Sequence, residues 1–370
     1  MSEFSRLGSE QDAAKGGRRL PSALQTAWAL VILLFSGTLL WLSLTAEPPV
    51  NKAAPAAPKM ATPQPETPAK AAEATKEDAA KSPAEPAPMA PPAKDKFAGL
   101  TPTPPAAPDP KLMADSKYGP LPAIGPDGRK PWQVYAHHFG DPANRPRIAI
   151  IVSELGLSPL VTTLAIEKLP VAAALAFSSY GENTGVWAEK ARKAGHETLA
   201  LVPMEPQTYP QDDPGPRGLM TGLDPDENID RLHWTMTRFT GYVGILNDMG
   251  SKFTASENDM KAVIEDMSKR GLMLVDARSS RFTVAAKLAR TAHIPSAIND
   301  RFIDNDLTAA EIDRNLRELE ATARTTGAAV GVGHAYPVTV QRIEAWAKGL
   351  EARGFVLAPI TALADRQTLN

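Results

Sequence analysis

Six acidic residues, one asparagine and one histidine stand where apolar runs of this chain give way to polar sequence. They are Glu154, Glu205, Asn247 with Asp248, Asp276, Asp300 with Asp304, and His334. No two of them form a ligand pair by local spacing. If the apolar runs are parallel strands, their carboxyl ends deliver these side chains to one rim. Several carboxylates and one imidazole around a pocket suit a hard or borderline divalent metal, or acid–base work. A metal held there would lower the pKa of a bound water and polarise a carbonyl. The chain has no cysteine, which excludes disulfides, thiol nucleophiles and thiolate-bound zinc. Its formal charge of −2 comes without a basic stripe, so nucleic acid is not an expected partner.

The elements that must position these groups are legible as alternation. The central one covers residues 242–254: an apolar run through Leu246, then Asn247-Asp248, then a Gly-Ser turn before a helical pattern near Ser256. A short apolar run ending in polar residues reads as a buried strand presenting them at its carboxyl end. The same grammar predicts strands at 147–152, 172–177, 196–202, 272–276, 296–298, 328–332 and 356–357. Helices are expected over 158–168, 187–193, 224–239, 256–270, 282–291, 308–326 and 337–353. Asp224 with Glu227, and Thr308 with Glu311, have the spacing of capping boxes. Strands buried on both faces and separated by helices make the chain α/β, with a parallel barrel or a doubly wound sheet.

What precedes this region is of another kind. Residues 20–46 contain no charge and follow Lys15, Arg18 and Arg19. About 20 apolar residues span a bilayer core of roughly 30 Å. Trp28 and Trp41 stand near the ends of the apolar run, where such rings favour the interface. The expectation is a cytoplasmic tail (1–23) and one transmembrane anchor (24–46), weighed against a cleaved signal peptide, with the rest of the chain outside the membrane. Residues 47–116 are dominated by Pro and Ala and read as a disordered, extended spacer. Residues 117–144 form a turn-rich lead-in arm that Trp132 and Tyr135 pin to the folded domain, 145–366.

Each polar group also has a structural reading. Glu154 precedes a helix, whose dipole favours a carboxylate. Asp248 can accept the amides of Gly250 and Ser251 in an Asx-turn. Asp276 can pair with Arg278, and His334 can hydrogen-bond a neighbouring loop. Asp300 and Asp304 flank Arg301 and read as a solvated loop, while His196 reads as structural.

Four motifs carry a resemblance. They are Gly195-His196-Glu197 with Pro203-Met204-Glu205-Pro206, Asn247-Asp248-Met249-Gly250-Ser251, Asp276-Ala277-Arg278-Ser279, and Gly331-Val332-Gly333-His334. Together they resemble the divergent polysaccharide deacetylase family, bacterial envelope proteins related to metal-dependent carbohydrate deacetylases. The resemblance implies an α/β fold, a distorted parallel (β/α) barrel, and ancestral removal of acetyl groups from an N-acetylated sugar. It departs from the family pattern at Ser153-Glu154, where two aspartates are common, and at Leu201 and Asp248, where histidines are common. Only His334 keeps an imidazole, so the implied metal site is degenerate and carboxylate-rich.

On this reading Glu154 and Asp276 are the catalytic candidates. Glu205, Asn247, Arg278 and Asp304 are expected to contact substrate, and Asp248 and His334 to hold a divalent metal. No organic cofactor is expected. The partners would be the cytoplasmic membrane, through one helix, and an envelope glycan. The function is hydrolysis of N-acetyl groups or, alternatively, a non-catalytic glycan-binding or scaffold module.

Overall fold

Two short strands, β1 (Met113–Ala114) and β2 (Leu121–Pro122), and one turn of helix, α1 (Pro131–Val134), open the region that the computed structural model describes, residues 107–141 and 143–369. The expected tail and anchor, and the spacer as far as residue 106, lie outside the described residues. The arm begins earlier than the expected residue 117, because Leu112 is already buried and β1 pairs with β2.

Strands and helices then alternate. β3 (Arg147–Leu155) is followed by α2 (Pro159–Lys168), β4 (Ala174–Ser178) by α3 (Thr184–Lys193), and β5 (Thr198–Met204) by α4 (Pro225–Met236). β6 (Gly244–Met249) leads to α5 (Glu257–Arg270), and β7 (Met273–Asp276) to α6 (Ala285–Thr291). β8 (Ser296–Ile298) and β9 (Arg301–Phe302) come in succession before α7 (Ala309–Thr326). β10 (Ala328–His334), α8 (Pro337–Ala347) and β11 (Val356–Leu357) complete the order. Local chemistry sets several ends: Ser158, Ser256 and Thr308 accept helix amides with their hydroxyls. Asp224, by contrast, makes no side-chain cap, and its capping-box spacing goes unused.

The main sheet is parallel, in the order β8-β7-β6-β5-β4-β3-β10-β9, with β11 beside β3. It curls into a half-barrel, and side-chain parity separates two cores. Ala149, Ile151, Leu199, Leu201, Val275 and Val332 point into the curl. Ile148, Ile150, Val152, Leu175, Phe177 and Ile245 point outward into the helix layer. Leu112 and Tyr135 from the arm, with Ile360 and Leu363 from the chain end, join the inner core. Glu197 ties these pieces together, because its buried carboxylate accepts the His137 amide at 2.8 Å and the amide and hydroxyl of Thr361.

The two outer strands of the sheet belong to one stretch of chain. β8 pairs with β7 and β9 pairs with β10, with only Asn299 and Asp300 between them. The Asn299 amide donates to the carbonyl of Asp276 (2.8 Å), and its side-chain Nδ2 donates to that of Ala277 (3.1 Å). Its Oδ1 accepts the Val332 amide at 3.2 Å. One residue thus bonds both ends of the curled sheet. The outer edge of β8 is covered by the chain end: Asp365 and Gln367 bond Ser296 and Ile298. No edge is left open there for pairing with another chain.

Replacing Asn299 with Ala removes its side-chain bonds to the Val332 N–H and the Ala277 carbonyl, one at each end of the curled sheet. We expect Asn299→Ala to lower unfolding free energy by on the order of 2–4 kcal/mol in urea denaturation. A loss below about 0.5 kcal/mol would show that the seam does not hold the curl.

Candidate functional site

The site is built by register and by one break in it. β10 and β3 pair without interruption from Ala328↔Arg147 to His334↔Ser153, so His334 reaches the mouth beside Ser153. Parity from Leu246 carries Asp248 inward at the end of β6. Regular parity would send Glu154 outward, after Val152. Instead its backbone turns left-handed, φ +61°, and the pairing of β3 with β4 slips between Val152 and Leu155. That conformation is costly for a non-glycine residue, and here it brings Glu154 to the mouth. Met249 and Arg278, at the ends of β6 and β7, are left-handed as well.

Glu154, Asp248 and His334 line one cavity of about 480 Å³. Leu201, Leu246, Ala277 and Val332 form its apolar part, and Ser279, Phe302 and Asn305 stand at its edge. Among the described residues, no lysine or arginine lines it. His334 is held from behind: its Nδ1 lies 2.8 Å from Asp304 Oδ1, and its own amide donates to Asp304 Oδ2 at 2.7 Å. Thr339 donates a third bond to that buried carboxylate. Donation from Nδ1–H to Asp304 leaves Nε2 as the nitrogen available to a ligand. The imidazole stacks on Phe302 with centroids 5.9 Å apart.

The charges are coupled. Burial and the neighbouring Glu154 carboxylate push Asp248 up to about 6, against a smaller opposing pull from His334. Burial would by itself lower the pKa of His334. The Asp304 hydrogen bond and charge, together with the Glu154 and Asp248 carboxylates, outweigh it in sum and hold the imidazole above its ordinary value.

The other expected residues go elsewhere. Asp276 shares the outward parity of Leu274 and lines a separate cavity behind the sheet. Its oxygens accept the Arg278 amide and the Thr283 hydroxyl, both at 2.8 Å. Burial raises its pKa, and these bonds partly offset the rise. The pairing with Arg278 is therefore through the backbone, and the exposed Arg278 side chain borders that second cavity. Glu205 is buried under the long loop after β5, binding Thr221 and Lys252 (2.7 Å). Asn247 lines the mouth cavity but is engaged locally, accepting the Ala277 amide and donating to the Met249 carbonyl. Asp304 and Asp300 are not in a solvated loop. Asp304 holds His334, while Asp300 accepts the Val330 amide at 2.9 Å. The Asp304–His334 pair is 30 positions apart, and only the pairing of β9 with β10 brings it together. Phe302 and Asn305 were missed for the same reason. The alternation Arg301-Phe302-Ile303 was their one local signal.

A metal centre of the kind the family resemblance implies does not fit these donors. Among the described residues no group of three His, Asp or Glu side chains is arranged to hold an ion. The cavity lining includes a single imidazole, which offers one donor nitrogen, Nε2. Leu201 faces the cavity with a hydrocarbon side chain, and the Ser153 hydroxyl donates to the Gly333 carbonyl. A catalytic zinc site needs three protein ligands and an open position.

A family model described as "Divergent polysaccharide deacetylase" matches residues 150–364. An uncharacterized protein of Haemophilus influenzae is 24% identical over 204 residues, which are 55% of this chain and 72% of that protein. The uncharacterized protein YibQ of Escherichia coli is 25% identical over 199 residues, 54% of this chain and 61% of its own length. The solved structure of an uncharacterized protein from Agrobacterium tumefaciens is 36% identical, with a TM-score of 0.64. It covers 66% of this chain and 98% of its own, so in that protein the matching region is a folded unit by itself.

Asp248 ionises at about 6 when folded, against an ordinary value of 3.8. Between those values the folded chain holds a proton that the unfolded chain releases. Stability therefore falls as pH rises from about 4 to about 6 and stays lower above that. Asp248→Asn removes the penalty, and we expect it to add roughly 1–3 kcal/mol at pH 7.5 and almost nothing at pH 4. Equal effects at the two pH values in denaturant titrations would refute the coupling.

Proposed function

This chain belongs to the divergent polysaccharide deacetylase family, and on that premise we propose that its mouth cavity binds a residue of an N-acetylated envelope glycan. On this proposal the curled sheet is a distorted (β/α) barrel of the deacetylase type. Residues 24–46 anchor the chain in the inner membrane, and the Pro/Ala-rich stretch holds the domain out in the periplasm. The observation that carries the reading is the company His334 keeps. An imidazole oriented by a buried carboxylate shares one cavity with Glu154 and Asp248, against the face of Phe302.

Each part has a use toward a sugar. A cavity of about 480 Å³ lies within the range of small-molecule sites, roughly 300–1,000 Å³. Carboxylates accept hydroxyl hydrogen bonds, and an aromatic ring face meets the apolar face of a pyranose ring. Protonated His334 can donate from Nε2 to an acetamido oxygen, because Asp304 already holds Nδ1. Metal-dependent hydrolysis is not part of this reading, since the donor set does not fit it. The Asp304–His334 arrangement favours a second reading, metal-independent hydrolysis of the acetamide. In it His334 moves a proton at Nε2, and Asp248, ionising near pH 6, accepts one from water.

Calorimetry with N-acetylglucosamine oligomers, alongside acetate-release and metal assays, tests both readings. We expect binding that weakens about tenfold or more in His334→Ala and Asp248→Asn, with acetate release at background. Acetate released without added metal and abolished in both variants would establish the second reading. No oligomer binding, or a tightly held stoichiometric zinc, would overturn the first.

A further inference from the structure

Every large hydrophobic side chain standing well exposed among the described residues sits at one end of the domain. β3 is followed by Leu157 and Leu160, β4 by Tyr180 and Val186, and β5 by Tyr209. β6 ends on Met249, while Phe282, Leu307 and Tyr336 follow β7, β9 and β10. All nine therefore lie between the end of a strand and the first turn of the next helix, around the mouth. Leu160 is 78% exposed and Phe282 64%. Scattered exposed hydrophobics need no explanation, but a set confined to one rim marks a surface that something covers.

The make-up of the rim says what covers it. Sugars stack on aromatic faces, yet Leu157, Leu160, Val186, Met249 and Leu307 offer none. Aliphatic and thioether side chains meet the apolar side chains of a protein. The same strand-to-helix segments expose Glu182, Asp212, Asp213, Asp224 and Asp306, against the exposed cations Arg278 and Arg281. Arg217 and Lys252 in these segments are half-buried and face Asp230 and Glu205. An apolar rim with surplus negative charge repels a second copy of itself and complements an apolar segment that carries positive charge.

We propose that the mouth end is a docking surface for a protein partner presenting a basic amphipathic helix. Its apolar face would seat on the exposed leucines and aromatic rings, and its cations would meet the surrounding carboxylates. The docked helix would cover the cavity entrance, and the proposal stands whether or not the cavity takes a glycan.

The full-length chain serves for the test. The probes are two synthetic helical peptides of about 18 residues, with leucine on one face and either lysine or glutamate on the other. Fluorescence anisotropy should show binding of the lysine peptide, weakened by salt, and none of the glutamate peptide. The double variant Leu160→Ser, Leu307→Ser should weaken binding about tenfold or more while keeping its thermal transition. Its affinity for N-acetylglucosamine oligomers should match that of the unaltered domain. Peptide binding indifferent to these substitutions or to peptide charge would overturn the proposal. So would loss of oligomer binding in the variant, which assigns the rim to glycan. A sedimenting dimer that the variant dissolves would overturn it too, by making the occupant a second copy.

Discussion

The bonds that Asn299 makes to both ends of the sheet set the geometry on which the site depends. A flat parallel sheet would hold the ends of β3, β6 and β10 in a row, with no shared interior. Curling brings them around one mouth, and it has to end somewhere without orphaning backbone groups. Here the chain solves this within one stretch: β8 serves one end, β9 the other, and a side-chain amide spans the residues between. Inside the curl, alanines such as Ala149, Ala174, Ala176 and Ala297 stand among larger aliphatic side chains.

Parity then decides which polar groups share that interior. Asp248 follows Leu246 inward, and Asp276 follows Leu274 outward, although both stand at strand ends and both are acidic. The difference between a cavity carboxylate and a buried structural one is a single step along a strand. Glu154 shows the converse, since a left-handed residue and a slipped register override its parity. Three left-handed non-glycine residues at the ends of β3, β6 and β7 place conformational strain where the cavity opens.

Electrostatics within the cavity pull in two directions. Glu154 and Asp248 repel one another in a partly desolvated space, which favours keeping a proton on Asp248. The same two carboxylates, with Asp304, favour a proton on His334. Among the described residues no lysine or arginine lines the cavity to neutralise this negative bias, and the imidazole of His334 is both oriented and inclined to be cationic. A group arranged this way is suited to donating a hydrogen bond or moving a proton, whether or not chemistry follows.

The alternation of apolar runs and helical patterns, together with its motifs, was enough to place the chain as α/β and in its family, because strand burial and helix periodicity are local properties. It was enough as well to single out Glu154, Asp248 and His334 as strand-end residues. It did not distinguish Asp248 from Asp276, because a strand's inward face is defined only by the neighbours it packs against. Nor did it find β9, whose two residues are a strand only through β10, or Asp304 as the partner of His334. Those assignments waited on the tertiary structure for one reason. Hydrogen-bond partners and the side of a curled sheet are set by contacts between residues far apart in the chain, and no local pattern of residue types encodes them.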